Sequence, residues 1–577
     1  VLQVLQQKYG DVYRQDNVVL SGTHTHCGPG GYFQYTLFMI SSGGFIKTSI
    51  QPLVDGIVKM GYASTQQTAA GIHTRLYSRA FIIDDGSRRV VFVTADVGMI
   101  SQRVRLEQSI DRAHQNMRPG RIYRNQGELD HNSINRSPHS YLNNPEDERL
   151  RYKDNTDNQV LVLKFTDLDG DGIGMLQTNM CAAFGPGDDM FESTRIIGEN
   201  IYRKELYATA VDEVTGSVQS AHQWVNMTDV SVQINDTHTV RTCKPALGHS
   251  FAAGTTDGGG ALNFTQAVEG DPFWDGIVGV LLGKPSNETK ECHHPKPILF
   301  NTGEMNTPLP WHPQIVDVQI ISIGSVAVVA VPGEMTMSGR RLREAVKQQE
   351  LESEGAFRDT EVVIAGLSNV YTHYITTYEE YQVQRYEGAS TIYGPHTLSA
   401  YLQKYRGLAR AIAQDRVSEL PVGPEPPFFT KNLVSLLPAA SIDRKPDNTS
   451  FGEVLQQVYP VYRQGDVVSV TFVAGNPRHS GDIRDKTFVT VEILDNRTET
   501  WEVVHTDASW ETRFHWLKGS NQQSNATIQW FIPPSAPSGS YRIRHFGHYK
   551  AWKGFQTVIS PYEGSSDVFR VASSFYY

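Results

Sequence analysis

The apolar positions of this chain gather into short unbroken runs at residues 18–20, 90–94, 160–165, 316–323 and 327–331. Runs of that length read as buried strands. Helical patterns follow them at residues 337–352 and 393–420, and the opening Val-Leu-Gln-Val-Leu-Gln-Gln is amphipathic and helical. Residues 1–420 therefore predict an α+β body, a mixed α/β domain. Pro421-Val-Gly-Pro-Glu-Pro-Pro427 interrupts this texture. Proline fixes φ and removes amide donors, so 421–430 reads as a Pro-rich linker. Beyond it, short strands at 467–473, 487–493, 500–504, 527–531, 541–546 and 567–571 are spaced by turns. That cadence predicts an all-β, immunoglobulin-like sandwich over 431–577.

With 39% apolar and 20% charged residues among 577, the composition is that of a globular protein with sizeable cores, not a disordered chain. A net charge of -10 without a basic stripe argues against nucleic acid as a partner and leaves a neutral lipid surface open. No run approaches the roughly 18 apolar residues of a membrane span. The chain starts without Met or a signal-peptide layout and reads as a fragment whose targeting segment lies outside it.

Glycosylation acceptor triplets at Asn226, Asn235, Asn263, Asn287, Asn448, Asn496 and Asn525, with a poorer one at Asn135, favour secretion. Cys243 and Cys292 flank the triplet-bearing segment and suggest one disulfide, worth roughly 4 kcal/mol on the chain-entropy model. Cys27 and Cys181 have no obvious partner. Four free thiols in a cytosolic enzyme are the alternative.

Candidate chemistry concentrates at residues 17–31, where the first apolar run empties into Ser-Gly-Thr-His-Thr-His-Cys-Gly-Pro-Gly-Gly. His24 and His26 are two apart, so in extended geometry both rings point to one side. Either they form part of a metal site or the stretch is a polar loop with two solvated rings. Two histidines cannot close a zinc shell, which takes about three protein ligands and one open position. Glu334, in Val331-Pro-Gly-Glu334, ends an apolar strand where a helix begins, and reads either as a ligand-facing carboxylate or as a helix cap. Residues 369–387 are dense in tyrosine, an aromatic patch or a set of paired hydroxyls. Arg136 offers a planar fork of donors for an oxyanion or a substrate hydroxyl, or else sits at the surface. Asp167-Leu-Asp-Gly-Asp-Gly172 opens like a calcium loop but lacks the closing glutamate, Thr178 standing there instead, and reads as a β-hairpin turn.

Taken together, Gly22 to Gly31, Asn135 to Pro138, Pro332-Gly-Glu334, Tyr371-Thr-His-Tyr374, Gln384-Arg-Tyr386-Glu387 and Tyr393-Gly-Pro-His396 resemble the neutral ceramidases over almost the whole chain. The resemblance implies a secreted or cell-surface hydrolase of sphingolipid catabolism, with 1–420 as its catalytic domain. A zinc-activated water would cleave the amide of ceramide, drawn from a membrane or micelle surface, to sphingosine and a fatty acid. Carried over by position, His24, Glu334 and Tyr374 are zinc ligands, and His26, Arg136 and Tyr386 line the reacting amide and the sphingoid hydroxyls. A structural Ca²⁺ or Mg²⁺ is implied at Asp507, Ser509 and Thr512, whose oxygens suit a hard cation. A bulky head group would be excluded sterically.

The chain also departs from that family. The segment carrying its second zinc histidine and an active-site serine, roughly a hundred residues on the family pattern, has no counterpart between Gly174 and Cys181. Residues 60–107 resemble a stretch that precedes Val1 in the family. Transposing buried strands would demand long new connections, which favours an error of gene assembly. Cys27 replaces the usual serine, and the helix after Glu334 is one residue short, shifting Ser338. The alternative function is therefore a catalytically dead, lipid-binding relative.

Overall fold

The apolar runs of the N-terminal body become strands covered on both faces, which is why they read as continuous rather than alternating. A computed structural model of the chain describes residues 1–28, 30–46, 71–102, 106–178, 182–203, 209–256, 258–260, 262, 264–347, 360–436, 440–481 and 486–573. Val18–Gly22 lies parallel to Arg89–Ala95, and Ser78–Asp84 completes that three-stranded sheet antiparallel. A four-stranded sheet runs Val218–Asn226, Ile315–Ile323, Val326–Ala330, Glu361–Ala365, with the last pair parallel. The crossover between that pair carries the helix Met337–Val346. A third sheet, antiparallel, contains Gly120–Glu128, Gln159–Asp167 and Gly172–Gln177.

Alternate residues along these strands enter different apolar layers. Val326, Val328 and Ala330 join Val19, Val90, Phe92, Leu161 and Leu163 between the sheets. Ala327 and Val329 face the other way, against Leu342 and Val346 of one helix and Leu398, Tyr401 and Tyr405 of another, Thr397–Ala413. Val91, Val93 and Ala95 pack with Leu5 of Leu2–Tyr9 and Ile110 of Glu107–Gln115. Helices therefore cover the outer faces of stacked sheets. Each fully buried aliphatic side chain contributes about 1.5–3 kcal/mol, enough collectively to hold the strand ends in place for a site.

Element boundaries moved where tertiary contacts intervene. The second long helix starts at Thr397 rather than 393 because Gly394 sits at φ 86, and a Cβ there would lie 2.4 Å from Cys243 Sγ. Cys243 is disulfide-bonded to Cys292, as the spacing suggested. The first helix ends at Val346; the end anticipated near 352 lies outside the described residues. The Asp167–Gly172 stretch is a hairpin turn, with Asp171 N donating to Asp167 Oδ1 at 2.8 Å.

Residues 421–427 take no regular structure yet lie tightly on the body: Trp224 N donates to Val422 O at 2.9 Å, and Gln34 Nε2 to Pro427 O at 2.8 Å. After them come two mostly antiparallel sheets. One orders Thr512–Lys518, Ser524–Phe531, Val467–Val473 and Val454–Gln456, and takes as its edge strand Gly71–Ile72 from far earlier in the chain. The other contains Val461–Arg463, Phe569–Ala572, Gly539–Lys553, Val489–Asp495 and Thr500–Thr506. Both contribute to one core that includes Phe472, Phe514, Trp530, Tyr541 and Phe569.

Candidate active site

Where Val18–Gly22 ends, the glycine-rich loop is pressed against the chain leaving Arg89–Ala95. Thr23 N donates to Ala95 O at 2.9 Å and His24 N to Val97 O at 3.1 Å. A Cβ on Gly22 would stand 3.1 Å from Val97 O, so the approach depends on glycine. His24 is held at φ 62, a left-handed conformation costing about 1 kcal/mol or more for a non-glycine residue. Its Nδ1 lies 2.6 Å from Gly98 O, which turns Nε2 the other way, to 3.4 Å from Glu334 Oε2. His26 Nε2 lies 3.4 Å from His24 Nε2. Both rings thus meet, though in a tight loop rather than on an extended strand.

Glu334 and Tyr374 are far apart in sequence and adjacent in space because Glu334–Met335 pairs in parallel with Tyr374–Ile375, residue 334 opposite residue 374. Glu334 N donates to His373 O at 2.8 Å, and a Cβ on Gly333 would lie only 2.6 Å from that same oxygen. His373 is itself at φ 59. Its ring meets His312, Nε2 to Nε2 at 2.8 Å, and His312 Nδ1 meets Thr302 Oγ1 at 2.6 Å. Burial pushes both imidazoles well down, to about 3 for His373, so they are neutral bracing groups. Tyr371 OH donates to Glu334 Oε1 at 2.6 Å. Burial would raise the Glu334 carboxyl, but His24, hydrogen bonds from Tyr371 and Tyr374, and Arg136 together hold it below the usual carboxylate range. Burial and the Glu334 charge push the Tyr374 phenol well up, with Arg136 opposing.

Arg136 follows the short strand Ser133–Ile134 and donates from a terminal guanidinium nitrogen to Tyr374 OH. Its guanidinium carbon is 5.9 Å from the Tyr374 ring centre and 5.7 Å from that of Tyr386. Ser137 Oγ donates to Glu387 Oε2 at 2.5 Å, tying the arginine loop to the tyrosine-rich segment. A cavity of ≈ 790 Å³ collects His24, His26, Arg136, Glu334 and Tyr374 with an apolar wall that includes Phe92, Leu161, Leu163 and Val328. Tyr386 does not line it but supports Tyr374 from behind, ring centres 5.7 Å apart. A larger cleft of ≈ 1490 Å³ runs between the two lobes and holds none of these side chains.

Among the described residues no group of three or more His, Cys, Asp or Glu side chains is arranged to hold a metal ion. The donors that do face one another, an imidazole, a carboxylate and a phenol, fit the zinc expectation in kind, as nitrogen and oxygen ligands about one cavity. The hard-cation expectation fits less well. Both Asp507 oxygens are taken by the Arg75 guanidinium, at 2.8 and 2.7 Å, and Phe488 N donates to the carboxylate as well. Thr512 Oγ1 donates to Thr506 O, and Ser509 Oγ accepts from Thr506 N. A cation there would have to displace the guanidinium. Cys27 is an exposed thiol beside His26, and Cys181 lies outside the described residues.

Sequence reasoning gave no role to Tyr371, Gly98 or Ser137. Tyr371 was visible in the tyrosine-rich run, and Thr377–Glu380 carries the legible signature of the capping box that the structure forms there. A backbone carbonyl such as Gly98 O leaves no side-chain signal at all.

The profile described as neutral/alkaline non-lysosomal ceramidase, N-terminal, matches residues 1–60, 57–108, 106–178 and 173–403 in four pieces, and its C-terminal counterpart matches 405–571. Neutral ceramidase 3 of Arabidopsis thaliana is 36% identical over 696 aligned positions, covering 99% of this chain and 87% of that protein. Because 696 exceeds the 577 residues here, a stretch of the relative has no counterpart in this chain. Neutral ceramidase B of Dictyostelium discoideum is 35% identical, covering 99% of this chain and 84% of the other. Among solved structures, the crystal structure of the neutral ceramidase from Pseudomonas aeruginosa superposes with a TM-score of 0.77 at 29% identity, covering 89% of this chain and 96% of that one.

Proposed function

This chain belongs to the neutral/alkaline non-lysosomal ceramidase family, and on that premise we propose that it hydrolyses the amide of ceramide to sphingosine and a fatty acid in the ≈ 790 Å³ cavity. The observation that carries the reading is the parallel pairing of Glu334 with Tyr374, which sets carboxylate and phenol side by side opposite the Nε2 of His24. These three side chains would hold zinc, which when bound supplies Lewis-acid polarisation of a carbonyl.

The remaining work falls to the chain itself. Arg136, a fixed planar fork already bonded to Tyr374 OH, is placed to donate to an amide oxygen as negative charge grows on it, or to a sphingoid hydroxyl. His26 is near enough to orient the substrate or take a proton. Phe92, Leu161, Leu163 and Val328 receive acyl chain, each buried methylene contributing about 0.8 kcal/mol. With affinity drawn from chains, a phosphocholine or sugar head group would meet only steric opposition.

A dead, lipid-binding relative is the second reading, favoured by the segment missing opposite the relatives. Fatty-acid release from labelled ceramide, together with zinc content, separates the two. We expect about one zinc per chain and release that Glu334→Gln reduces at least about 100-fold. Zinc-free protein that still binds ceramide without cleaving it would establish the second reading.

Asn226, Asn235, Asn287, Asn448 and Asn496 are exposed, and the Cys243–Cys292 disulfide suits an oxidising compartment, which together support passage through the secretory pathway. Among the described residues no helix is long and apolar enough to cross a membrane. The shared core of the C-terminal sheets supports reading 431–577 as an immunoglobulin-like sandwich.

A further inference from the structure

The helix Pro272–Leu281 has no buried residue, although its composition is almost wholly apolar. Phe273, Ile277, Val280 and Leu281 recur at i, i+4, i+7 and i+8, which puts them on one face. Phe273 is 66% exposed, Val280 86% and Leu281 73%. The helix is firmly built in other respects. The Asp271 side chain caps its start by accepting from Phe273 N and Trp274 N. On the inner side Asp275 Oδ1 meets His249 Nε2 at 2.8 Å, and Trp274 stacks on Phe264 with ring centres 4.8 Å apart.

The segment that carries this helix also braces the candidate active site. His249 opens the short turn His249–Phe251, and the Phe251 ring stacks on Tyr386 at 6.1 Å. Gln266 O accepts from Arg385 at 3.1 Å, and Thr256 Oγ1 donates to Arg136 O at 3.3 Å. An outward greasy stripe and the supports of Arg136 and Tyr386 therefore belong to one piece of structure.

We propose that Pro272–Leu281 is a docking helix for a lipid surface with neutral or zwitterionic head groups, lying flat with Phe273, Ile277, Val280 and Leu281 in the acyl boundary. The occupant follows from size and charge. One face of a ten-residue helix falls well short of the roughly 800 Å² per partner that a stable protein interface buries. Glu269 and the capping Asp271 stand at the start of the helix and Lys284 follows its end, so the stripe has no excess of basic residues beside it and an anionic surface offers it no attraction. The inference rests on the ceramidase reading, since a substrate resident in lipid is what makes docking useful.

The test uses the full chain and phosphatidylcholine vesicles, with and without ceramide. Wild type floats with the vesicles, and phosphatidylserine does not strengthen binding. The double variant Val280→Asp, Leu281→Asp lowers the partition coefficient by about tenfold or more, whereas Leu150→Asp, at another exposed leucine, does not. Cleavage of vesicle-borne ceramide falls in step, while cleavage of a monomeric short-chain ceramide is unchanged. Equal flotation of wild type and double variant overturns the proposal, as does a wild-type dimer that the double variant splits. Failure to cleave the short-chain ceramide counts against the ceramidase reading alone, because flotation reports on docking independently.

Discussion

A carboxylate and three imidazoles show how strongly burial sets charge in this protein. Glu334 stays ionised because His24, Tyr371, Tyr374 and Arg136 more than offset its desolvation. For His293, His373 and His545 burial outweighs the interactions that favour the proton, a carbonyl acceptor or the Glu334 charge, and drives them to about 3, 3 and 4. His545 lies in the C-terminal core between Phe488 O, 2.9 Å from Nδ1, and Tyr562 OH, 3.0 Å from Nε2. Its folded value is depressed below the unfolded 6.5, so between those limits the unfolded chain binds the extra proton and stability rises with pH. The contribution is whole above about pH 6.5 and is lost as pH falls toward 4. Urea unfolding should therefore show a loss of up to about 2 kcal/mol from this residue between pH 7 and pH 5. His545→Gln should flatten that part of the slope, and an unchanged slope would refute the assignment. Nothing in the sequence around His545 announces its burial, because its partners come from other strands.

Short elements, rather than the long helices, carry the site. Glu334–Met335 and Tyr374–Ile375 are two-residue strands, far too brief to show a periodicity, yet their register decides which side chains meet. Gly333 makes the pairing possible, since any Cβ would press on His373 O at 2.6 Å, a backbone atom unable to yield cheaply. Gly333→Ala should cost about 1–3 kcal/mol and separate Glu334 from Tyr374, with ceramide hydrolysis lost more steeply than the melting temperature falls. Gly366→Ala, whose added carbon would meet Gly333 O at 3.3 Å, is the milder control. Equal behaviour of the two variants would show that the close approach at 333 does not matter. By contrast Val18–Gly22, Arg89–Ala95, Ile315–Ile323 and Val467–Val473 were legible within a residue or two, because their apolar runs record burial on consecutive positions.

At the scale of the molecule, the segment just before Ser78–Asp84 joins the lobes. Gly71–Ile72 adds a strand to the C-terminal sheet, His73 packs on Trp510 with ring centres 4.2 Å apart, and Arg75 grips Asp507 with two nitrogens. The Asp507 side chain is 1% exposed and that of Arg75 13%, so the pair is shielded from water. Removing one partner of such a pair strands a buried charge, at a cost of about 3–5 kcal/mol. Arg75→Ala should lower the melting temperature of the whole chain, and Arg75→Lys should restore only part of it, since an ammonium cannot reproduce the two-pronged contact. Full stability in Arg75→Ala would mean that strand pairing alone holds the lobes.

The sequence by itself determined the mixed body, the break at 421–427, the strand-rich end, the disulfide and the family, because each of these is written in neighbouring residues or in matched local motifs. Only the tertiary structure decided that Glu334 stands opposite Tyr374, that Gly98 O turns His24 toward them, that Arg75 claims Asp507, and that Pro272–Leu281 shows its apolar face to solvent. Periodicity reports how often a chain meets a core, whereas a site depends on which distant strands share a register.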